Sequence, residues 1–174
     1  MNRFDTVSPL DYRYYGDTPE IFNKLHPFVS ERADIRYLLR VELALVRVLA
    51  RFGVCPNLVP VEVEKACSEI TAEEVYSEEQ VVHHNIRAIV NVIRRRITPA
   101  SRPYVHLFAT SNDIMDTAYA LRYKELVQEV LLPELQRRKS ERNLASTRIP
   151  DRPALAATSF SFRAHIADRH CHWS

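Results

Sequence analysis

Four small polar residues, Thr110, Ser111, Asn112 and Asp113, stand in a row just ahead of an apolar helical pattern. The start of a helix leaves backbone N–H groups without partners and carries a partial positive charge, so it holds a carboxylate or a phosphate readily. Thr110 or Ser111 also suits the N-cap position, where one side-chain oxygen satisfies one of those amides. A cap needs a single such residue. Hydroxyls on both would add donors to an anion cradle, and both readings fit the pattern.

A second stretch, VVHHNIRAIV (Val81 to Val90), places His83 and His84 side by side, followed by Asn85. The spacing predicts one continuous helix here, with His84 near its inward face and His83 about 100° around the axis from it. Imidazole supplies a proton donor or acceptor near neutral pH, and an amide can hold an anion. The plainer alternative is one exposed histidine and one hydrogen-bonded histidine at the edge of the core. A third cluster, His165, His170, Cys171 and His172, has metal-ligand residue types. It has no second ligand pair upstream, and a frayed terminal tail explains it, so no metal site is expected.

The composition narrows the functions these residues can serve. The 174-residue chain has the length of one ordinary domain, with 46% hydrophobic and 26% charged residues and a net charge of +2. So small a charge gives no electrostatic case for nucleic acid or a membrane surface. Arg94-Arg95-Arg96 and Arg137-Arg138-Lys139 read as solvated helix ends without interleaved aromatics. There are two glycines, Gly16 and Gly53. That scarcity favours long helices over tight hairpins and excludes every glycine-rich phosphate loop. Three cysteines without a CxxC pair argue against a disulfide framework or a zinc site. The first residues lack a signal-like apolar core, and no run of about 18 apolar residues occurs. A reduced, cytoplasmic, soluble protein is expected.

The elements that must carry these residues are helical. Thr18-Pro19-Glu20 predicts a helix start, with the helix ending before Pro27. Ser30 opens a second helix whose apolar face runs through Ile35, Leu38, Leu39, Leu43, Leu45, Val46, Leu49 and Phe52, with Gly53 just past its end. A short helix follows from Pro60 to Glu69. Thr71 and Glu74 form a predicted capping box, and the helix behind it turns Val75, Val82, Ile86, Ile89, Val90 and Ile93 inward until Pro99. From about Ser111 a long helix turns Ile114, Ala118, Leu121, Leu126, Val130 and Leu131 inward. Pro133 lies inside that pattern and should kink it or cost stability. From Ser140 the helical period fades. No internal repeat is visible.

In this order the segments resemble the N-terminal part of adenylosuccinate lyase, in the fumarase/aspartase superfamily. SPLDYRYYG resembles the family's opening segment. RVELALVRVLARFGV resembles its early helix, an acidic residue followed by an alanine-rich apolar run. HHNIRAIV resembles its His-Asp-(Ile/Val) segment. YVHLFATSNDIMDTAYALR resembles its His-x-Gly-Ala-Thr-Ser-Asn-Asp-Ile-x-Asp-Thr-Ala motif, and this last likeness is long and specific. Together they span roughly residues 8–135.

The resemblance implies a β-elimination that releases fumarate and AMP from adenylosuccinate, or acts likewise on a succinylated carboxamide ribotide in purine synthesis. Such chemistry needs a base for a weakly acidic carbon proton, donors for the carbanion and an acid for the leaving nitrogen. By resemblance His84 is catalytic, Arg13 and Tyr14 contact the phosphate end, His83 and Asn85 line the site, and Thr110 and Ser111 hold a succinyl carboxylate. No cofactor is implied. The implied fold is all-α: an N-terminal helical domain over 1–110, the start of a central helix bundle over 111–139, and an irregular tail over 140–174. The implied assembly is a homotetramer with sites shared between subunits.

Three departures stand out. Asn85 replaces the family's aspartate, and Phe108 replaces the motif glycine. The later Gly-Arg-Thr-His-Gly-Gln segment and the serine-bearing loop do not occur. A lost coding frame after about residue 139, or a shortened relative, is the expectation. The alternatives are another superfamily lyase, such as an argininosuccinate-type enzyme, and a catalytically inactive helical oligomerisation module.

Overall fold

The computed structural model describes residues 19–147, with side chains described through residue 143, and among them every regular element is helical. The order is α1 (Pro19–Val29), α2 (Glu31–Arg51), α3 (Leu58–Glu69), α4 (Ala72–Val82), α5 (Asn85–Arg96), a 3-10 turn (Arg102–Tyr104), α6 (Ser111–Leu126), a π-helical turn (Val127–Leu131) and α7 (Leu132–Thr147). The chain divides into two compact units, Met1–Gln136 and Arg137–Ser174. No helix among the described residues is long and apolar enough to cross a membrane.

Helix α2 organises the first unit. Ser30 caps it, its hydroxyl accepting from Ala33 N at 3.1 Å. The chain leaves it through Gly53 at φ 71°, a left-handed conformation that glycine takes without strain. Helices α1, α3, α4, α5 and α6 all pack on α2. Its Leu38 and Val46 meet Val59 and Val63 of α3, Val75 of α4, and Ile86, Ile89, Val90 and Ile93 of α5 in one buried core. Fully burying each such side chain contributes about 1.5–3 kcal/mol.

Polar pairs tie the helices at the rim of this core. The Tyr37 ring is buried, and its hydroxyl donates to Glu125 Oε2 at 2.6 Å, joining α2 to α6. Arg122 of α6 reaches Asp34 of α2 at 2.5 Å. Tyr76 of α4 donates to Glu31 of α2 at 2.5 Å.

Several boundaries differ from the sequence expectation. Helix α1 passes through Pro27 to Val29. The proline sits in the last turn, where the Pro27 carbonyl accepts from the Arg36 guanidinium and the His26 carbonyl from the Ser30 hydroxyl at 2.7 Å. Thr18, the expected cap, lies outside the described residues. Helix α3 begins two residues early, at Leu58. Thr71 accepts from Glu74 N at 3.3 Å, yet the Glu74 carboxylate pairs with Arg96 and does not complete the box. Phe52 and Leu131, both expected inward, are exposed.

Pro133 leaves the helix continuous. One wide turn, Val127–Leu131, precedes it, and the Leu132 N–H reaches back to the Val127 carbonyl. A wider turn accommodates the proline ring and its missing N–H. Helix α7 then runs past Ser140 to Thr147.

Candidate functional site

The two histidines expected within one helix stand instead at a break between two. Helix α4 ends at Val82, and His83 takes the left-handed conformation, φ 52°, at its C-cap. His84 is extended, φ −156°, and becomes the N-cap of α5, its Nδ1 accepting from Arg87 N at 3.2 Å. Helical spacing continues on both sides of the break, which is why the pattern alone reads as one helix. The left-handed His83 costs about 1–2 kcal/mol relative to ordinary backbone, and the His84 cap offsets part of that.

The break turns His84 toward the start of α6. A cavity of about 400 Å³ there is lined by Val82, His84, Ile86, Arg87, Val90, His106 and Ser111. Apolar side chains from α4 and α5 form one part of the lining. Two imidazoles, one guanidinium and one hydroxyl form the rest. This combination suits a small organic anion: donors for its charge beside an apolar wall for its carbon skeleton.

Thr110 and Ser111 divide the work that their sequence left undecided. Thr110 is the N-cap, and its hydroxyl is fully engaged with Asp113. It accepts from Asp113 N at 3.3 Å and donates to Oδ2 at 2.8 Å, while Thr110 N donates to the same carboxylate at 2.7 Å. These bonds from Thr110 hold the Asp113 carboxyl below the usual carboxylate range. The Asp113 carboxylate takes the place an external anion would need at Thr110. Ser111 is left to line the cavity.

Of the remaining expected residues, His83 is exposed on the outside of the break and does not line the cavity. Asn85 also lies away from the lining. Its Oδ1 accepts from Ile86 N at 2.7 Å, and its Nδ2 contacts Met115 Sδ at 3.6 Å, tying the start of α5 to α6. Arg13, Tyr14 and the cluster of His165, His170, Cys171 and His172 lie outside the described residues. Among the described residues no group of three His, Cys, Asp or Glu side chains could hold a metal ion.

Sequence reasoning overlooked two lining residues, His106 and Arg87. Both were within the quoted motifs, one opening the Thr-Ser segment and the other following His84 by three positions. His106 adopts φ 63°, and its Nδ1 lies 2.7 Å from Oε1 of the buried Glu42. Phe108 adopts φ 64° with its ring 82% exposed, so the benzyl group points to solvent and does not crowd the cavity. The departure from glycine is felt in the backbone instead.

No family model matches the chain. Among curated proteins it is similar to adenylosuccinate lyases of Archaeoglobus fulgidus, 39% identical over 120 residues covering 68% of this chain and 25% of that one. The Pyrococcus horikoshii enzyme is 36% identical over 130 residues, covering 71% and 26%. That of Methanocaldococcus jannaschii is 32% identical over 124 residues, covering 70% and 26%. Among solved structures, a fumarate lyase from Mesorhizobium sp. BNC1 superposes with a TM-score of 0.52 at 27% identity, covering 59% of this chain and 25% of that one. The chain thus spans about a quarter of the length of the curated relatives it matches.

Proposed function

We infer that this chain, a relative of the adenylosuccinate lyases with the helical fold of the fumarase/aspartase superfamily, forms one part of a site for β-elimination of a succinylated purine nucleotide. The observation that carries the reading is the convergence of His84, Arg87, His106 and Ser111 on one partly apolar cavity. In such a reaction the substrate brings carboxylates and a phosphate together with a carbon skeleton. Ser111 and Arg87 supply donors for an anionic group, and His84 supplies a ring nitrogen that carries a proton at the cavity.

The products on this reading are fumarate and AMP, and the succinylated carboxamide ribotide is a second substrate of the same chemistry. On this reading the cavity holds one part of the acid–base machinery, and the remaining acid and base lie on segments other than those that line it. A homotetramer in the cytoplasm is the proposed working state. The proposed organisation is an N-terminal helical domain over 1–110, the start of a central bundle over 111–139, and a divergent tail.

The direct test is calorimetric binding of AMP and adenylosuccinate to the purified chain, with Ser111→Ala as control. Binding that is lost in the variant supports the reading. Absence of binding with helical circular dichroism intact overturns it for the isolated chain. Fumarate absorbance on mixing with a lyase deprived of its own N-terminal site residues then tests catalysis.

A second reading, a helical module that only oligomerises, is favoured by one observation. Tyr123, Val127, Leu131 and Leu135 recur every four residues from α6 into α7 and are 52%, 40%, 45% and 62% exposed. An apolar stripe of this length on a helix is a surface for other helices. The two readings separate on ligand binding.

A further inference from the structure

Glu42 lies at the middle of α2 with no exposed surface. Burying a carboxylate is costly unless hydrogen bonds replace water. Among the described residues Oε1 has one partner, His106 Nδ1 at 2.7 Å, and Oε2 has none. Packing alone would favour an apolar residue at this position. A half-satisfied buried carboxylate facing a cavity-lining histidine is better explained by what it does to that histidine.

The surrounding structure holds His106 against Glu42. The 102–106 segment is clipped by Arg94, which donates to the carbonyls of Arg102 at 3.1 Å and Val105 at 3.0 Å. His106 itself accepts left-handed backbone, φ 63°. Strain of this kind persists where the surroundings over-determine a geometry. The charged and titratable groups around the pair are Arg94 and Cys67 beside Glu42 and Asp113 beside His106.

We propose that Glu42 is a positioning residue that locks His106 in its Nδ1–H tautomer, so that a bare Nε2 serves the cavity opposite the Nε2–H of His84. The second half follows from the His84 cap: its Nδ1 accepts a backbone N–H, so the proton of the neutral ring sits on Nε2. The two imidazoles then present complementary nitrogens, one acceptor and one donor. A ligand matched to them carries an anionic acceptor for His84 and an N–H or O–H donor for His106. A nucleotide with a succinyl group and a secondary amine has both. That ligand assignment rests on the function proposed above, whereas the tautomer assignment does not.

The test is long-range proton–nitrogen correlation NMR on the full chain with labelled histidine, with resonances assigned by His106→Gln and His84→Gln. In the unmutated protein the neutral His106 ring should be protonated at Nδ1 and the neutral His84 ring at Nε2. In Glu42→Gln a neutral amide replaces the charged acceptor, and the ratio of Nδ1–H to Nε2–H at His106 should fall about tenfold, the difference between a charge-assisted and a neutral hydrogen bond, while His84 is unchanged. An Nε2–H tautomer at His106 in the unmutated protein, or an unchanged ratio in a folded Glu42→Gln, overturns the proposal. If Glu42→Gln does not fold, the unmutated spectrum and Glu42→Asp decide it. Adenylosuccinate binding is measured on the same samples. Tautomers as stated without binding would sink the functional reading and leave the Glu42 assignment standing.

Discussion

Arg40 of α2 and Glu125 of α6 face each other through two parallel hydrogen bonds, Nη1 to Oε2 at 2.9 Å and Nη2 to Oε1 at 2.7 Å. The Tyr37 hydroxyl shares Oε2, and the Arg40 guanidinium lies 5.0 Å from the Tyr37 ring centroid. A bidentate pair backed by a buried ring is held more firmly than an ordinary surface ion pair. It also fixes how α6 lies on α2, and therefore where Ser111 meets His84.

This relationship makes stability depend on acid. The Arg40 hydrogen bond, helped by Tyr37, lowers the Glu125 carboxyl from 4.5 to about 2, against a smaller opposing effect of burial. A carboxylate whose folded value is depressed stabilises the fold above its unfolded value and loses that contribution as pH falls through the folded one. Glu125→Gln should therefore lower the urea midpoint at neutral pH. The gap to the unmutated protein should narrow between pH 4.5 and about 2. A gap independent of pH would refute the linkage.

Thr110→Ala and Ser111→Ala should separate cap from cradle. Removing the Thr110 hydroxyl deletes the N-cap bond and half of the box with Asp113, costing about 1 kcal/mol of stability. Ser111→Ala should change stability by less than about 0.5 kcal/mol and weaken nucleotide binding. Chemical denaturation and calorimetry on both variants check this. Equal loss of stability in the two would show that the division is wrong.

Phe108→Gly should stabilise the fold despite removing a large side chain. The ring is exposed, so little burial is lost, and left-handed backbone costs a non-glycine residue about 1–2 kcal/mol. Glycine's greater unfolded freedom opposes this by about 0.5–1 kcal/mol. A net gain of roughly 0.5 kcal/mol is expected from these two costs. A lower melting temperature would mean that the ring has packing value.

Self-association through the α6–α7 stripe should be concentration-dependent. Leu131→Glu places a charge in its middle and should shift sedimentation velocity toward monomer while the helical signal persists. No change in sedimentation would remove the stripe as an interface.

The helical class and most of the core were legible because apolar spacing was written plainly along α2, α5 and α6. Ser30 and the start of α6 at Ser111 were also legible, since small polar residues with a free hydroxyl mark helix starts. The break at His83–His84 was not. No glycine or proline marks it, and the apolar spacing runs through in phase. A histidine taking left-handed backbone is a tertiary outcome, set by how α4 and α5 pack on each other. Glu42 was equally hidden: a charged residue amid an apolar face reads as solvent-facing until the fold brings His106 over it. The Glu74 half of the expected capping box failed because Arg96, distant in sequence, competes for the carboxylate.

The wide turn at Val127–Leu131 makes chain length a structural variable in its own right. One extra residue is stored in that turn, whose five wide steps fall about 90° short of regular winding. Deleting one residue there removes about 100°, so the helix would return to regular winding with the faces on either side of the turn nearly unchanged. Glu134 would keep the side of the helix on which it now meets Lys24, and Leu135 would stay in line with Tyr123. The turn is thus the point at which this helix absorbs a change of one residue in length, whereas a deletion in the regular helix on either side would shift the faces by about 100°.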